Sequence, residues 1–181
     1  MKSIQVRKLT YAALFLALAM LMPFVAGRIP DIGKRLSLMH VPVLLCGFLC
    51  GWPWGLAVGF TAPLMSSLVS GMPALFPDAV VMAFELAAYG CVAGLLYRLF
   101  PRKKWSIYAV LIIAMLAGRI VYGIVYLVLL KTGLAVIGES LLHFVWIRAF
   151  VKPFPGIILH LVLVPVLVMA LERAGLSLNR Q

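Results

Sequence analysis

The sequence is poor in charged residues, which make up only 12% of its 181 residues, whereas hydrophobic residues make up 65%. Soluble domains usually contain about 25% charged and about 45–50% apolar residues. A soluble domain has no means of burying this much apolar surface, so the composition predicts an integral membrane protein. Because a spanning helix takes about 20 residues, the length fits six such helices and leaves no room for a second, soluble domain.

Cysteine is also scarce, with three residues at positions Cys46, Cys50 and Cys91. All three lie in apolar stretches without a neighbouring histidine pattern. We interpret them as small buried hydrophobic residues, and we expect neither a disulfide nor a metal site, and no cofactor.

Enzyme motifs are missing as well. The sequence has no paired-carboxylate spacing, no nucleophile beside an obvious base and no His-Glu-x-x-His metal signature. The nearest candidate for a nucleotide-binding loop, residues 27–35, has the wrong glycine spacing and an arginine where Ser or Thr is needed. We therefore expect that the protein is not an enzyme, and that an ATP-driven process would take its motor from another subunit.

Basic residues outnumber acidic residues by 16 to 5, which gives a net charge of +11. They cluster at the ends of apolar segments, where lysine and arginine normally face the cytoplasm and anionic lipid, so we do not expect nucleic-acid binding. With six spans, the amino terminus, the cluster at residues 98–104 and the tail fall on one side, which predicts that both termini are cytoplasmic. The basic residues of the first loop then lie outside, and a loop folded back as a lid over a binding site explains them.

The apolar segments predict six transmembrane helices, at about residues 9–26, 41–49, 56–69, 79–100, 107–130 and 153–172. The predicted fold is an all-α bundle of six transmembrane helices that forms one domain over residues 1–181, with a partly folded extracellular first loop. The first segment is long enough to span the membrane, so we interpret it as a helix and not as a signal peptide. Residues 51–55 (GWPWG) predict a turn.

Small residues recur at four-residue spacing along several of these segments. Such pairs allow close approach of helix backbones, usually within one bundle. The pairs are Ala13 and Ala17, Gly47 and Gly51, Gly55 and Gly59, and Gly90 and Gly94. The alanine pair on the first helix is also a candidate for docking a partner subunit.

Ionisable residues inside spanning segments are expensive, at roughly 2.5–3.5 kcal/mol for a central charge, and they usually mark a pathway, a ligand site or a pair. Glu85 and Arg119 are the clearest cases. Glu85 lies one turn before Tyr89, and Arg119 shares a helix face with Tyr122 and Tyr126. Either these side chains line a polar cavity for a ligand, or Glu85 and Arg119 neutralise each other between two helices.

Two histidines are further candidates for ligand contact. His40 lies where the charged first loop meets the second helix, and His160 lies within the last helix. A lone histidine in an apolar helix is often hydrogen-bonded to a neighbour, which is the alternative for His160.

Five stretches, in this order along the chain, resemble substrate-binding S components of energy-coupling factor (ECF) vitamin transporters of the pantothenate and riboflavin type. They are residues 38–48 (LMHVPVLLCGF), 61–67 (TAPLMSS), 71–73 (GMP), 84–90 (FELAAYG) and 154–159 (FPGIIL). The resemblance covers nearly the whole chain, including its length and six-helix count.

The resemblance implies a membrane-embedded, high-affinity vitamin-binding subunit in a prokaryotic plasma membrane. In that family, a membrane coupling subunit and two ATP-binding subunits drive uptake, and an Ala-x-x-x-Ala pattern on the first helix meets the coupling subunit, which here matches Ala13 and Ala17. The location of the family's cavity points to a set of substrate-binding candidates, to which we add the histidine of the last helix: His40, Glu85, Tyr89, Arg119, Tyr122 and His160.

The identity of the vitamin stays open at this point. Arg119 and His40 favour an anionic ligand such as pantothenate, through charge-assisted hydrogen bonds. Tyrosines beside Glu85 fit a flat heterocycle equally well, such as riboflavin, a B6 vitamer or a pyrimidine precursor. Outside this class, a stand-alone secondary carrier or channel is the main alternative, and an intramembrane enzyme or assembly factor is a weaker one.

Overall fold

A computed structural model describes residues 2–27, 38–101, 104–132 and 154–179, and in these ranges the chain is helical and contains no strand. All six predicted helices are present, with bounds within a few residues of the expected ones except at the amino end of the first. They are α1 (Lys2–Gly27), α2 (His40–Cys50), α3 (Trp52–Ser70), α4 (Val80–Leu99), α5 (Lys104–Lys131) and α6 (Phe154–Arg173). A short helical turn, Leu75–Ala79, leads into α4. The proposed lid at residues 28–37 lies outside the described residues.

Four segments in the described part of the chain are long and apolar enough to cross a membrane: Ile4–Val25, Leu75–Leu99, Trp105–Lys131 and Gly156–Arg173. α2 is apolar but has only 11 residues, which span about 17 Å, against a hydrocarbon core of about 30 Å. α3 is not among the four. The all-helical membrane fold is therefore supported, whereas six full spans are not confirmed.

α2 lies at the centre of the bundle, because every one of its residues is buried. The helices around it turn large apolar side chains outward, including Leu14 on α1, Ile120 on α5 and Val162 on α6. Such an exterior is stable only where the surrounding solvent is apolar. The core thus consists of α2 with the inward faces of its neighbours, and lipid is the environment outside.

The reversal between α2 and α3 is tighter than the sequence predicts. α2 ends at Cys50 and α3 begins at Trp52, so Gly51 alone makes the turn. Its φ of 100° is a conformation that residues with a Cβ rarely adopt. Pro53 lies in the first turn of α3, where its missing N–H leaves no hydrogen bond unmade. The prediction of a turn over residues 51–55 was wrong for all but its first residue.

Glycines bring α2, α3 and α4 into backbone contact, as their spacing predicts. A Cβ on Gly55 of α3 would lie 2.5 Å from the carbonyl oxygen of Gly90 on α4, and a Cβ on Gly90 would overlap the backbone of Gly55. The other glycines at this contact are Gly47, Gly59 and Gly94. Because no side chain separates the backbones, these three helices form a closely packed unit.

The glycine contact predicts different effects of the same substitution at two positions. Gly90→Ala inserts a methyl group against the Gly55 backbone and should destabilise the protein by about 1–3 kcal/mol. Gly123→Ala on α5 is the matched control, because nothing lies within 4 Å of its added Cβ, and alanine is the better helix former. Thermal unfolding in detergent measures both, and equal stability of the two variants would contradict the packing.

Candidate functional site

An ion pair between α4 and α5 lies at the centre of the candidate site. The Arg119 Nη1 atom is 2.9 Å from the Glu85 Oε1 atom. Glu85 is 2% exposed and Arg119 is 9% exposed, so the pair is held away from the bundle surface. The sequence left open whether these charges neutralise each other or line a ligand site, and the structure brings them together as a pair.

Tyr89 completes the surroundings of the Glu85 carboxylate. Its hydroxyl donates a hydrogen bond of 2.9 Å to the same Oε1 atom. The two residues are one helical turn apart on α4, which places their side chains on one face. The Tyr89 ring packs over Gly118 of α5, where a Cβ would overlap the ring. Gly118 was not among the predicted site residues, and the only sequence signal is its position next to Arg119.

Two histidines bring α2 and α6 to the same place. The His40 Nε2 atom is 3.9 Å from Glu85 Oε1, and the His40 ring lies 5.3 Å from the ring of Tyr89. His160 stacks on His40 with ring centroids 5.5 Å apart and an angle of 27° between the planes. Both histidines are buried. Five predicted site residues, His40, Glu85, Tyr89, Arg119 and His160, therefore form one polar cluster.

The polar cluster is unusual because one of its strongest donors lacks a partner in the part of the chain that the structure describes. The Nε atom of Arg119 is buried and has no hydrogen-bond partner among the described residues. An unsatisfied charged donor costs free energy in an apolar interior, so it is a good place for an incoming acceptor. The aromatic rings beside it offer flat apolar surface. Together these groups can bind a small polar molecule that carries an acceptor group.

Three predicted residues remain to be placed. Tyr122 stacks on Tyr126 one turn further along α5, with ring centroids 6.0 Å apart. Ala13 and Ala17 lie on the exposed face of α1, while Ala12, Phe15 and Ala19 are buried in the bundle. The alanine pair is therefore not used for packing inside the described part of the chain.

Comparison with known proteins identifies the family of the chain. A family model described as "ECF transporter, substrate-specific component" matches residues 7–168. The chain belongs to this family. No curated protein and no solved structure matches the chain.

As a substrate-specific component of an ECF transporter, the protein serves the uptake of a vitamin or related micronutrient as part of an ECF module. The resemblance identified from the sequence is confirmed. The family and the apolar helices indicate a multi-pass protein of a prokaryotic plasma membrane. In this family the subunit binds substrate for transport and is not an enzyme. The roles of individual residues stay predictions.

The ion pair predicts that removing one of its charges destabilises the protein more than removing both. Arg119→Gln leaves the Glu85 carboxylate buried without its cation and should cost roughly 3–5 kcal/mol. Glu85→Gln combined with Arg119→Gln removes both charges and should recover most of this loss. Unfolding midpoints in detergent measure the effect, and a double variant less stable than Arg119→Gln alone would contradict the pairing.

Proposed function

We propose that the protein is the high-affinity vitamin-binding subunit of an ECF transporter and that its polar cluster holds the vitamin. The Nε donor of Arg119 carries this proposal, because it is buried among four other polar or aromatic side chains and has no partner within the described ranges. Membership of the family supports a binding subunit over a stand-alone carrier or channel.

Pantothenate is the vitamin we favour. Glu85 engages Arg119 through one terminal nitrogen, Nη1, and the Nε donor is left for a second acceptor. A carboxylate at this position makes a charge-assisted hydrogen bond, which is stronger than a neutral one. Because Glu85 already neutralises most of the arginine charge, this contact depends on donor geometry more than on net charge.

A flat heterocycle is the second candidate, supported by the rings of the cluster. The His40 ring lies within contact distance of the rings of both Tyr89 and His160, and Tyr122 on α5 is a further aromatic candidate. Such faces suit riboflavin, a B6 vitamer or a pyrimidine precursor. A panel of these compounds alongside pantothenate separates the two classes.

The partners in this proposal are a membrane coupling subunit and two ATP-binding subunits. Ala13 and Ala17 lie on the exposed face of α1, and a pair of small residues there allows a partner helix to approach closely. ATP hydrolysis in the partner subunits then drives release of the vitamin on the cytoplasmic side.

Arg119→Lys tests the ligand contact without removing the cation that Glu85 needs. Lysine keeps the positive charge but has no counterpart of the Nε–H donor. Loss of a hydrogen bond to a charged group should weaken pantothenate binding by about 1.5–3 kcal/mol, which is roughly tenfold to a hundredfold. Isothermal titration of purified protein measures this, and unchanged affinity in a folded variant would exclude the contact.

Ala13→Trp and Ala17→Trp test the docking surface. Each should prevent co-purification with the coupling subunit, because a bulky side chain holds the partner helix away, and should leave vitamin affinity unchanged. Ala170→Trp is the matched control, since this alanine is also exposed but lies on α6. Normal assembly of both α1 variants would place the interface elsewhere.

A further inference from the structure

The segment that follows α6 turns back onto the bundle. Gly175 has a φ of 74°, the left-handed conformation that ends many helices. Its N–H donates to the Glu172 carbonyl, and the Leu176 N–H donates to the Leu171 carbonyl, both at 3.0 Å. This pair of hydrogen bonds is the pattern that reverses a chain at a helix end, so residues 176–179 run back towards α2 and α4.

This returning segment is fixed at two points. The Leu178 N–H donates to the Leu49 carbonyl of α2 at 2.8 Å, where the last carbonyls of a helix lack partners of their own. The Asn179 side-chain amide donates to the Gly94 carbonyl of α4 at 3.0 Å. Leu178 and Asn179 are both buried. A Cβ on Gly51 would lie 2.8 Å from the Asn179 amide oxygen, so the glycine turn leaves space for this side chain.

A third contact links α6 directly to α4. The Tyr97 hydroxyl donates a hydrogen bond of 2.6 Å to the Glu172 carboxylate. We call the contacts of Glu172, Leu178 and Asn179 the tail clamp. In the described part of the chain α6 packs mainly on α2 and α5 and makes few contacts with α4. Within the described ranges, the tail clamp is therefore the main connection between α6 and α4.

The tail clamp joins the same three helices that supply most of the polar cluster. His40 and Leu49 are nine residues apart on α2, as are Glu85 and Gly94 on α4, and each spacing corresponds to about 14 Å of helix. On α6, His160 and Glu172 are twelve residues apart, or about 18 Å. Each helix thus contributes to the polar cluster and, about 14–18 Å further along, to the tail clamp.

We propose that the tail clamp is a positioning device for the vitamin site. It holds α6 at the angle at which His160 stacks on His40, so opening of the tail clamp withdraws His160 and weakens vitamin binding. This inference rests on the proposed function, because it takes the polar cluster as the vitamin site. Coupling between two sites is reciprocal, so a bound vitamin must also hold the tail clamp closed.

The test uses Tyr97→Phe combined with Asn179→Ala, which removes two side-chain hydrogen bonds of the tail clamp and leaves the polar cluster intact. Tyr108→Phe is the control, because this tyrosine loses the same hydroxyl from an exposed position on α5. We expect the affinity for pantothenate, or for riboflavin if pantothenate does not bind, to fall about fivefold or more in the double variant. We expect no change in the control.

Hydrogen exchange provides the reciprocal measurement. Saturating vitamin should slow exchange of the backbone amides of residues 174–179 in the unmodified chain. The proposal would be overturned by an unchanged affinity in the folded double variant. It would also be overturned if the exchange rates of residues 174–179 were the same with and without vitamin.

Thermal unfolding without vitamin tests the tail clamp even if the polar cluster is not the vitamin site. His160→Ala is combined with the tail-clamp variant, and the unfolding midpoints of the single and combined variants are compared. If His160 and the tail clamp act independently, their effects on the unfolding midpoint add up, because they lie far apart. If both depend on the position of α6, the effects are not additive. Additive midpoints would reject the positioning role. If neither vitamin binds the unmodified chain, the choice of ligand is wrong. The comparison of unfolding midpoints then tests the positioning role of the tail clamp by itself.

Discussion

The ion pair between Glu85 and Arg119 joins α4 to α5 at a place from which neither charge reaches water. Each charge alone would be unstable in this apolar interior, so each requires the other. The pair also organises its surroundings, because Tyr89 donates to the same carboxylate oxygen and His40 lies beside it. The other side chains of the polar cluster are arranged around this one contact.

Close packing of glycines keeps the ion pair in register. α3 and α4 meet backbone to backbone through Gly55 and Gly90, and Gly90 directly follows Tyr89 in the chain. Gly118 lets the Tyr89 ring approach the α5 backbone next to Arg119. A bundle with larger residues at these positions would hold the helices further apart and lengthen the polar contacts, so the glycines and the ion pair depend on each other.

Much of the helical organisation was predictable because apolar runs and their polar boundaries are local features. The bounds of α2, α4 and α6 follow them within about two residues. The number of full spans was not predictable in this way, since hydropathy does not distinguish a helix facing lipid from one enclosed by its neighbours. α2 is apolar because it is buried on all sides, and it is too short to cross the bilayer alone. The turn at Gly51 was also misjudged, because tryptophan and proline are compatible with the first turn of α3.

The sequence alone determined that lipid surrounds this protein, where its helices lie and which few side chains are too polar for such an interior. It also carried the family resemblance. Only the tertiary structure decided that Arg119 pairs with Glu85, that His40 meets His160, and that the segment after α6 returns to α2 and α4. The physical reason is that helix periodicity fixes which residues share a face, while the partner of that face depends on helix rotation and crossing. Those are set by backbone contacts between residues far apart in the chain, such as Gly47 and Gly90.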